Sequence, residues 1–214
     1  MNLPKVHSIS KKILVALLGA FLGFFLLFHA GANLLILRND GGAWYNAFCD
    51  FMGNNMFVKV SEVALLGTFA FHIVLTLWLA VTNKMARPKG YRKSQRTKTH
   101  VGSKLQIWTG VLIIACLLLH FTDFFFVKFG LVNGNADFYQ QAHEKFQIPH
   151  IAVCYLLFFV VVWFHLRHGI AAVFQTLGLY NDKYGRAIEI IGTIYATLIF
   201  LMFASVVVGV YFGL

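Results

Sequence analysis

Five apolar stretches, at about residues 13–37, 57–82, 104–127, 149–174 and 187–212, decide what this chain can fold into. Each is long enough to cross the roughly 30 Å hydrocarbon core of a bilayer, which takes about 20 helical residues. No water reaches backbone groups in that layer, so a spanning segment must close its own hydrogen bonds, as a helix does. The expected fold is therefore all-α: an integral membrane bundle of five transmembrane helices, one membrane domain over 1–214. Hydrophobic residues make up 59% of the chain and charged residues 12%, a balance that argues against a soluble domain of 214 residues. Pro149 opens the fourth stretch, where a first-turn proline costs little because its missing N–H has no helical partner. Arg38-Asn39-Asp40-Gly41-Gly42 and Asn133-Gly134-Asn135 punctuate the chain between spans. Met1 to Lys12 is a short basic leader, and the apolar run behind it is too long for a cleavable signal, so the first helix is expected to stay in the membrane. No internal repeat is visible.

The net charge of +10 is distributed for topology and not for nucleic acid. Lys5, Lys11 and Lys12 precede the first span. The second connection carries Lys84, Arg87, Lys89, Arg92, Lys93, Arg96, Lys98 and Lys104 with no acidic residue. Arg167, Lys183 and Arg186 lie at or beyond the end of the fourth span. Together these place fourteen of the eighteen basic residues on one side. Arg38, Lys59, Lys128 and Lys145 face the other side, offset by Asp40, Asp50, Asp123, Asp137 and Glu144. The N-terminus is expected inside and the C-terminus outside. The basic inner connections serve as a topogenic and lipid-contacting signal, as a docking surface for a peripheral partner, or as both. The three cysteines form no CxxC or CxxCH, which argues against an iron–sulfur cluster and against covalently attached haem.

Within these spans, His29, His72, His120 and His165 each occupy a different stretch. An ionisable side chain in hydrocarbon is expensive and marks a functional site by default. At 1.5 Å per residue, His29 and His120 both lie about 24 Å from the inner surface, and His72 and His165 about 14–15 Å from it. The outer level pairs spans one and three, the inner level spans two and four. In a four-helix bundle these are the two diagonals, and a flat macrocycle between facing helices needs that placement. Two imidazoles fill both axial positions of a haem iron and leave no open site for oxygen, which suits electron transfer. His168 competes with His165 but sits in a basic Arg167-His168 pair near the interface. His7, His100, His143 and His150 fall in loops or at span ends. Gly23, Gly110 and Gly169 lie near the ligand positions and would admit a macrocycle to the backbone, or else serve ordinary small-residue helix packing.

These residues resemble a known family, the di-haem cytochrome b membrane anchors of succinate:quinone oxidoreductases and quinol:fumarate reductases. The likeness is to the five-helix, single-polypeptide type of menaquinone-using bacteria, and it covers nearly the whole chain. It rests on Phe28-His29-Ala30-Gly31-Ala32-Asn33, on Phe71-His72, and on Gln106-Ile107-Trp108-Thr109-Gly110 leading to His120. It rests also on Phe164-His165-Leu166-Arg167-His168-Gly169, running on to Phe174-Gln175-Thr176-Leu177-Gly178. In that family the fourth-span ligand is followed by glycine four and thirteen residues later, which Gly169 and Gly178 satisfy for His165. Thr76 departs from the pattern, standing four residues after His72 where glycine is common.

The resemblance implies two haem b groups, held by His29 with His120 and by His72 with His165, and menaquinone as substrate. It implies an oxidoreductase complex in a bacterial cytoplasmic membrane. A flavoprotein subunit with FAD and an iron–sulfur subunit would dock on the cytoplasmic face, and the whole complex can dimerise. Glu62, ten residues before His72, is expected to handle protons for the quinone, or to be an interfacial carboxylate paired with Lys59. Asp123, one turn beyond His120, is read as a boundary residue, with a hydrogen bond to the quinone or haem surroundings as the alternative. Ser10, Lys11, Lys84, Lys104 and Gln175 lie at the depth of the inner haem propionates. Trp44, Tyr45, Trp108, Tyr139 and Tyr180 suit an interfacial aromatic belt. Glu189 opens the fifth helix, where a carboxylate favours the dipole. Two other readings stand beside this one: a haem anchor of a hydrogenase or formate dehydrogenase, and a haem-free proton-relay membrane protein.

Overall fold

The computed structural model of the chain describes residues 8–85 and 98–214, with side chains over 9–85 and 105–214. Lys5, His7, Arg87, Lys89, Arg92, Lys93 and Arg96 lie outside the described residues, as do the side chains of Lys98, His100 and Lys104. The described residues contain helices and no strand. Helix α1 (Ser8–Asn33) tightens into a 3-10 turn over Leu34–Leu37 and is followed by α2 (Ala43–Asn54) and α3 (Met56–Met85). Helix α4 (Lys98–His120) runs through a π turn at Phe121–Phe125 into the short α5 (Phe126–Lys128). Then come α6 (Phe138–Phe146), α7 (Pro149–Thr176) and α8 (Gly185–Phe212). Among the described residues five stretches are long and apolar enough to cross a membrane: Ile9–Leu37, Met56–Met85, Leu105–Lys128, Pro149–Thr176 and Gly185–Phe212.

The outward faces explain why a bilayer is the fitting solvent. Helix α3 has no buried residue, and its Phe57, Val63 and Trp78 are more than half exposed. In water each such side chain would forfeit about 1.5–3 kcal/mol of transfer free energy. Lipid tails remove that penalty, so the chain reads as a multi-pass membrane protein.

The spans alternate in direction. Ile9 and Lys12 at the start of α1 share a cleft with Gln175 and Thr176 at the end of α7, and Lys11 lies over the Trp78 ring near the end of α3. This is the basic end. At the distal end, Ile36, Phe146, Ala152, Tyr155, Val206 and Val210 belong to one dense core. Helix α1 packs on α3, α7 and α8, and α7 packs on α4 and, along most of its length, on α8. Among the described residues neither α1 with α4 nor α3 with α7 shares a packed face of comparable extent, so each of these pairs lies across the bundle, and α3 and α4 are likewise little packed on each other. Small residues bring α8 onto α7: a Cβ on Gly192 would lie 3.3 Å from Ile170, and Ala196 is fully buried.

Two helices absent from the five-span expectation close the distal end. Asp137 caps α6 by accepting from the Gln140 N–H at 2.9 Å and also accepts from Asn46 of α2 at 2.8 Å. Gly130, Gly178 and Gly213 take left-handed φ at the ends of α5, α7 and α8. In each case the next residue bonds back five positions, Leu131 to Phe126, Leu179 to Phe174 and Leu214 to Gly209, which closes the exposed carbonyls.

Candidate functional site

The structure brings the outer two histidines together. The His29 ring, from α1, and the His120 ring, from the last residue of α4, have centroids 6.0 Å apart and planes at 78°. Aromatic side chains surround them: Phe25 and Phe203 against His29, and Phe121, Phe124 and Tyr155 against His120. Asn33 donates to the His29 carbonyl at 2.8 Å, while its amide stands 3.5 Å from His29 Nδ1, too far to set the tautomer. The Tyr45 hydroxyl donates to Asn33 at 3.3 Å, so Tyr45 is tied to α1 and not merely an interfacial aromatic.

His72 and His165 are half-buried and not in ring contact with each other; each packs against a glycine of a neighbouring helix. A Cβ on Gly19 of α1 would lie 3.2 Å from His72 Cε1, and one on Gly110 of α4 would lie 3.5 Å from His165 Cε1. Gly110 therefore serves the inner level and not His120. Gly23 stands beside Tyr195, whose hydroxyl donates to the Gly23 carbonyl at 2.7 Å, and so serves helix packing. Gly169 gives clearance for Gln106, whose Nε2 reaches the His165 carbonyl at 3.2 Å. Gly178 has the conformational task of ending α7 at φ 75°.

Among the described residues of this region, His72 Nδ1, Thr76 Oγ1 and Gln106 Oε1 are buried polar atoms with no hydrogen-bond partner. His165 Nδ1, by contrast, lies 3.1 Å from Thr109 Oγ1 across the α4–α7 contact. His168 differs again, its Nδ1 donating to the Phe164 carbonyl of its own helix at 2.9 Å. Among the described residues no group of three or more His, Cys, Asp or Glu side chains is placed to hold a metal ion. The donor set consists of imidazole pairs, and two imidazoles suit an iron whose other positions a macrocycle already fills. The two rings meet edge to face at 6.0 Å, and if a haem were bound at this level His29 and His120 are the residues that would hold its iron.

Glu62 does not pair with Lys59. Both of its carboxylate oxygens lie 2.8 Å from Lys128 Nζ at the end of α5, sixty-six residues away. Asp123 is not a boundary residue either, since it is 4% exposed. Its carboxylate meets Lys145 Nζ at 2.8 Å and the Tyr155 hydroxyl at 2.9 Å, and its carbonyl accepts from Gln141 at 2.6 Å. The π turn carries this residue into the bundle, one turn from His120. Glu189 accepts from the Tyr180 hydroxyl at 2.7 Å, which raises the Tyr180 pKa and ties the chain entering α8 to that helix. Trp108, 69% exposed, points away from the bundle. Of the propionate candidates, Gln175 lines a cleft of about 260 Å³ with Lys12, and Lys11 lies 5.2 Å from the Trp78 ring centre.

Residue types and spacing pointed to the histidines. Gly19 and the pairing of Asp123 with Lys145 and Tyr155 carried no such signal, because each acquires its partner only when distant helices meet. Set against known families, curated proteins and solved structures, the chain has no match.

Proposed function

We propose that this protein is the membrane anchor and electron-transfer subunit of a succinate dehydrogenase or fumarate reductase complex, linking an iron–sulfur subunit to menaquinone through two bis-histidine b haems. The observation that carries the reading is the meeting of His29 and His120 at 6.0 Å from helices that face each other across a diagonal. The glycines beside His72 and His165 and the unpartnered His72 Nδ1 support a second site of the same kind nearer the basic end. In this reading His29 and His120 hold the outer haem, and His72 and His165 the inner one. Held by these histidines, the haems would supply one-electron transfer between the partner subunit and the quinone. The phenyl and tyrosyl rings around His29 and His120 exclude water from their side of the bundle.

The basic end would face the cytoplasm of a bacterium and receive the flavoprotein and iron–sulfur subunits through its lysines and arginines. Glu62 would exchange protons for menaquinone at the outer side, with Lys128 holding its carboxylate in place. The test is a reduced-minus-oxidised spectrum of the chain in its native membranes, followed by haem extraction from the purified protein. Two b-type haems per chain are expected, and Leu in place of His29 or His120 should remove one and spare the other. Absence of b-type bands would refute the proposal.

A further inference from the structure

The contact between Thr109 and His165 decides which nitrogen of that imidazole is free. A threonine hydroxyl has one hydrogen and two acceptor lone pairs. Thr109 Oγ1 lies 2.9 Å from the Leu105 carbonyl, 3.1 Å from the Gln106 carbonyl and 3.1 Å from His165 Nδ1. Carbonyl oxygens only accept. Were the hydroxyl hydrogen aimed at the imidazole, two carbonyl oxygens would face the threonine oxygen at bonding distance with no hydrogen between them. With the hydrogen shared between those carbonyls, the remaining lone pair of Oγ1 faces His165, and all three short contacts are favourable. His165 Nδ1 must then carry the hydrogen and donate it.

We propose that Thr109 is a positioning residue that holds His165 in the Nδ1–H tautomer, leaving Nε2 with a bare lone pair for the inner haem iron. Thr109 is 5% exposed, so no water competes for the contact. A second tie fixes its aim: Gln106, one turn before Thr109 on α4, donates to the backbone carbonyl of His165 itself at 3.2 Å. Gly110 keeps the space beside the ring clear, its Cβ position 3.5 Å from His165 Cε1. The same logic separates His165 from His168, whose Nδ1 is held by its own helix and so receives no orientation from α4. A histidine ligand that donates its second N–H is more basic and fixed in rotation, and losing such a partner costs about 10–100-fold in metal affinity.

This inference rests on the di-haem reading, and the experiment separates the two. The whole chain in its native membranes is titrated potentiometrically through the reduced-minus-oxidised haem spectrum. Absence of two b-type components in the unsubstituted protein overturns the haem reading and this inference with it. With both present, Thr109→Val keeps the side-chain shape and removes the hydroxyl. The haem of His29 and His120 should stay at its wild-type potential. That of His72 and His165 should move to higher potential, because a less basic ligand stabilises ferric iron less, and be lost about 10–100-fold more readily in detergent. Thr109→Ser should restore both properties. Unchanged or lowered potential with unchanged retention in Thr109→Val overturns the tautomer assignment and leaves the haem reading standing. Should Thr109→Val fail to assemble, Thr109→Ala and Thr109→Ser are compared in the same way: a shift or loss confined to alanine supports the assignment, and equal behaviour of the two overturns it.

Discussion

Replacing Lys145 with methionine removes the ammonium from Asp123 while keeping an apolar stem of similar length. The Asp123 side chain is 6% exposed and the Lys145 side chain 28%, with 2.8 Å between the charged atoms. Deleting one partner of a fully buried pair costs about 3–5 kcal/mol, and of an exposed pair about 0.2–1 kcal/mol. Water reaches the lysine but barely reaches the carboxylate, and the Tyr155 hydroxyl still donates to Asp123 at 2.9 Å. The expected loss is therefore intermediate, about 2–3 kcal/mol. For a chain of this size, 1 kcal/mol moves the midpoint by about 2–4 °C, so Lys145→Met should lower Tm by about 4–12 °C. Thermal unfolding followed by circular dichroism, at fixed detergent and pH, reads this directly. Adding Asp123→Asn should recover much of the loss, because no charge is then left buried alone. A Lys145→Met midpoint within about 1 °C of wild type would refute the reasoning that this pair ties α6 to the π turn.

Two further outcomes follow from the distal end. Gly42 holds φ at 85°, and a Cβ there would overlap the Tyr139 ring, so Gly42→Ala should cost about 2–4 kcal/mol, read as a fall in Tm. Burial, with the Asp50 carboxylate adding to it, pushes the Cys49 thiol up to about 11 from 9.0. Because a raised pKa leaves less thiolate at any lower pH, alkylation of Cys49 at pH 8 should run roughly 100-fold slower than in the SDS-unfolded chain. The rate should rise with pH until the thiol is titrated, and equal rates in folded and unfolded chains would count against the burial.

The five spans and the two levels of histidines are legible in the chain alone because both depend on local quantities. Whether a stretch partitions into hydrocarbon is a sum over its own residues, and a helix rises 1.5 Å per residue whatever surrounds it. The α1–α4 meeting of His29 and His120 could therefore be anticipated as a matching of depths. Tertiary structure alone decided everything set by which helix face meets which. Glu62 found Lys128 and not its own-helix neighbour, and Asp123 went inside to Lys145 and Tyr155. Gly110 went to His165 and Gly23 to Tyr195, although sequence position had put them near His120 and His29. Helices α2 and α6 escaped the hydropathy reading because their stability lies in caps and cross-links such as Asn46 to Asp137. Depth is a one-dimensional property that a linear chain encodes directly. The rotation of each helix about its axis is settled only by packing and by the pairing of buried polar groups.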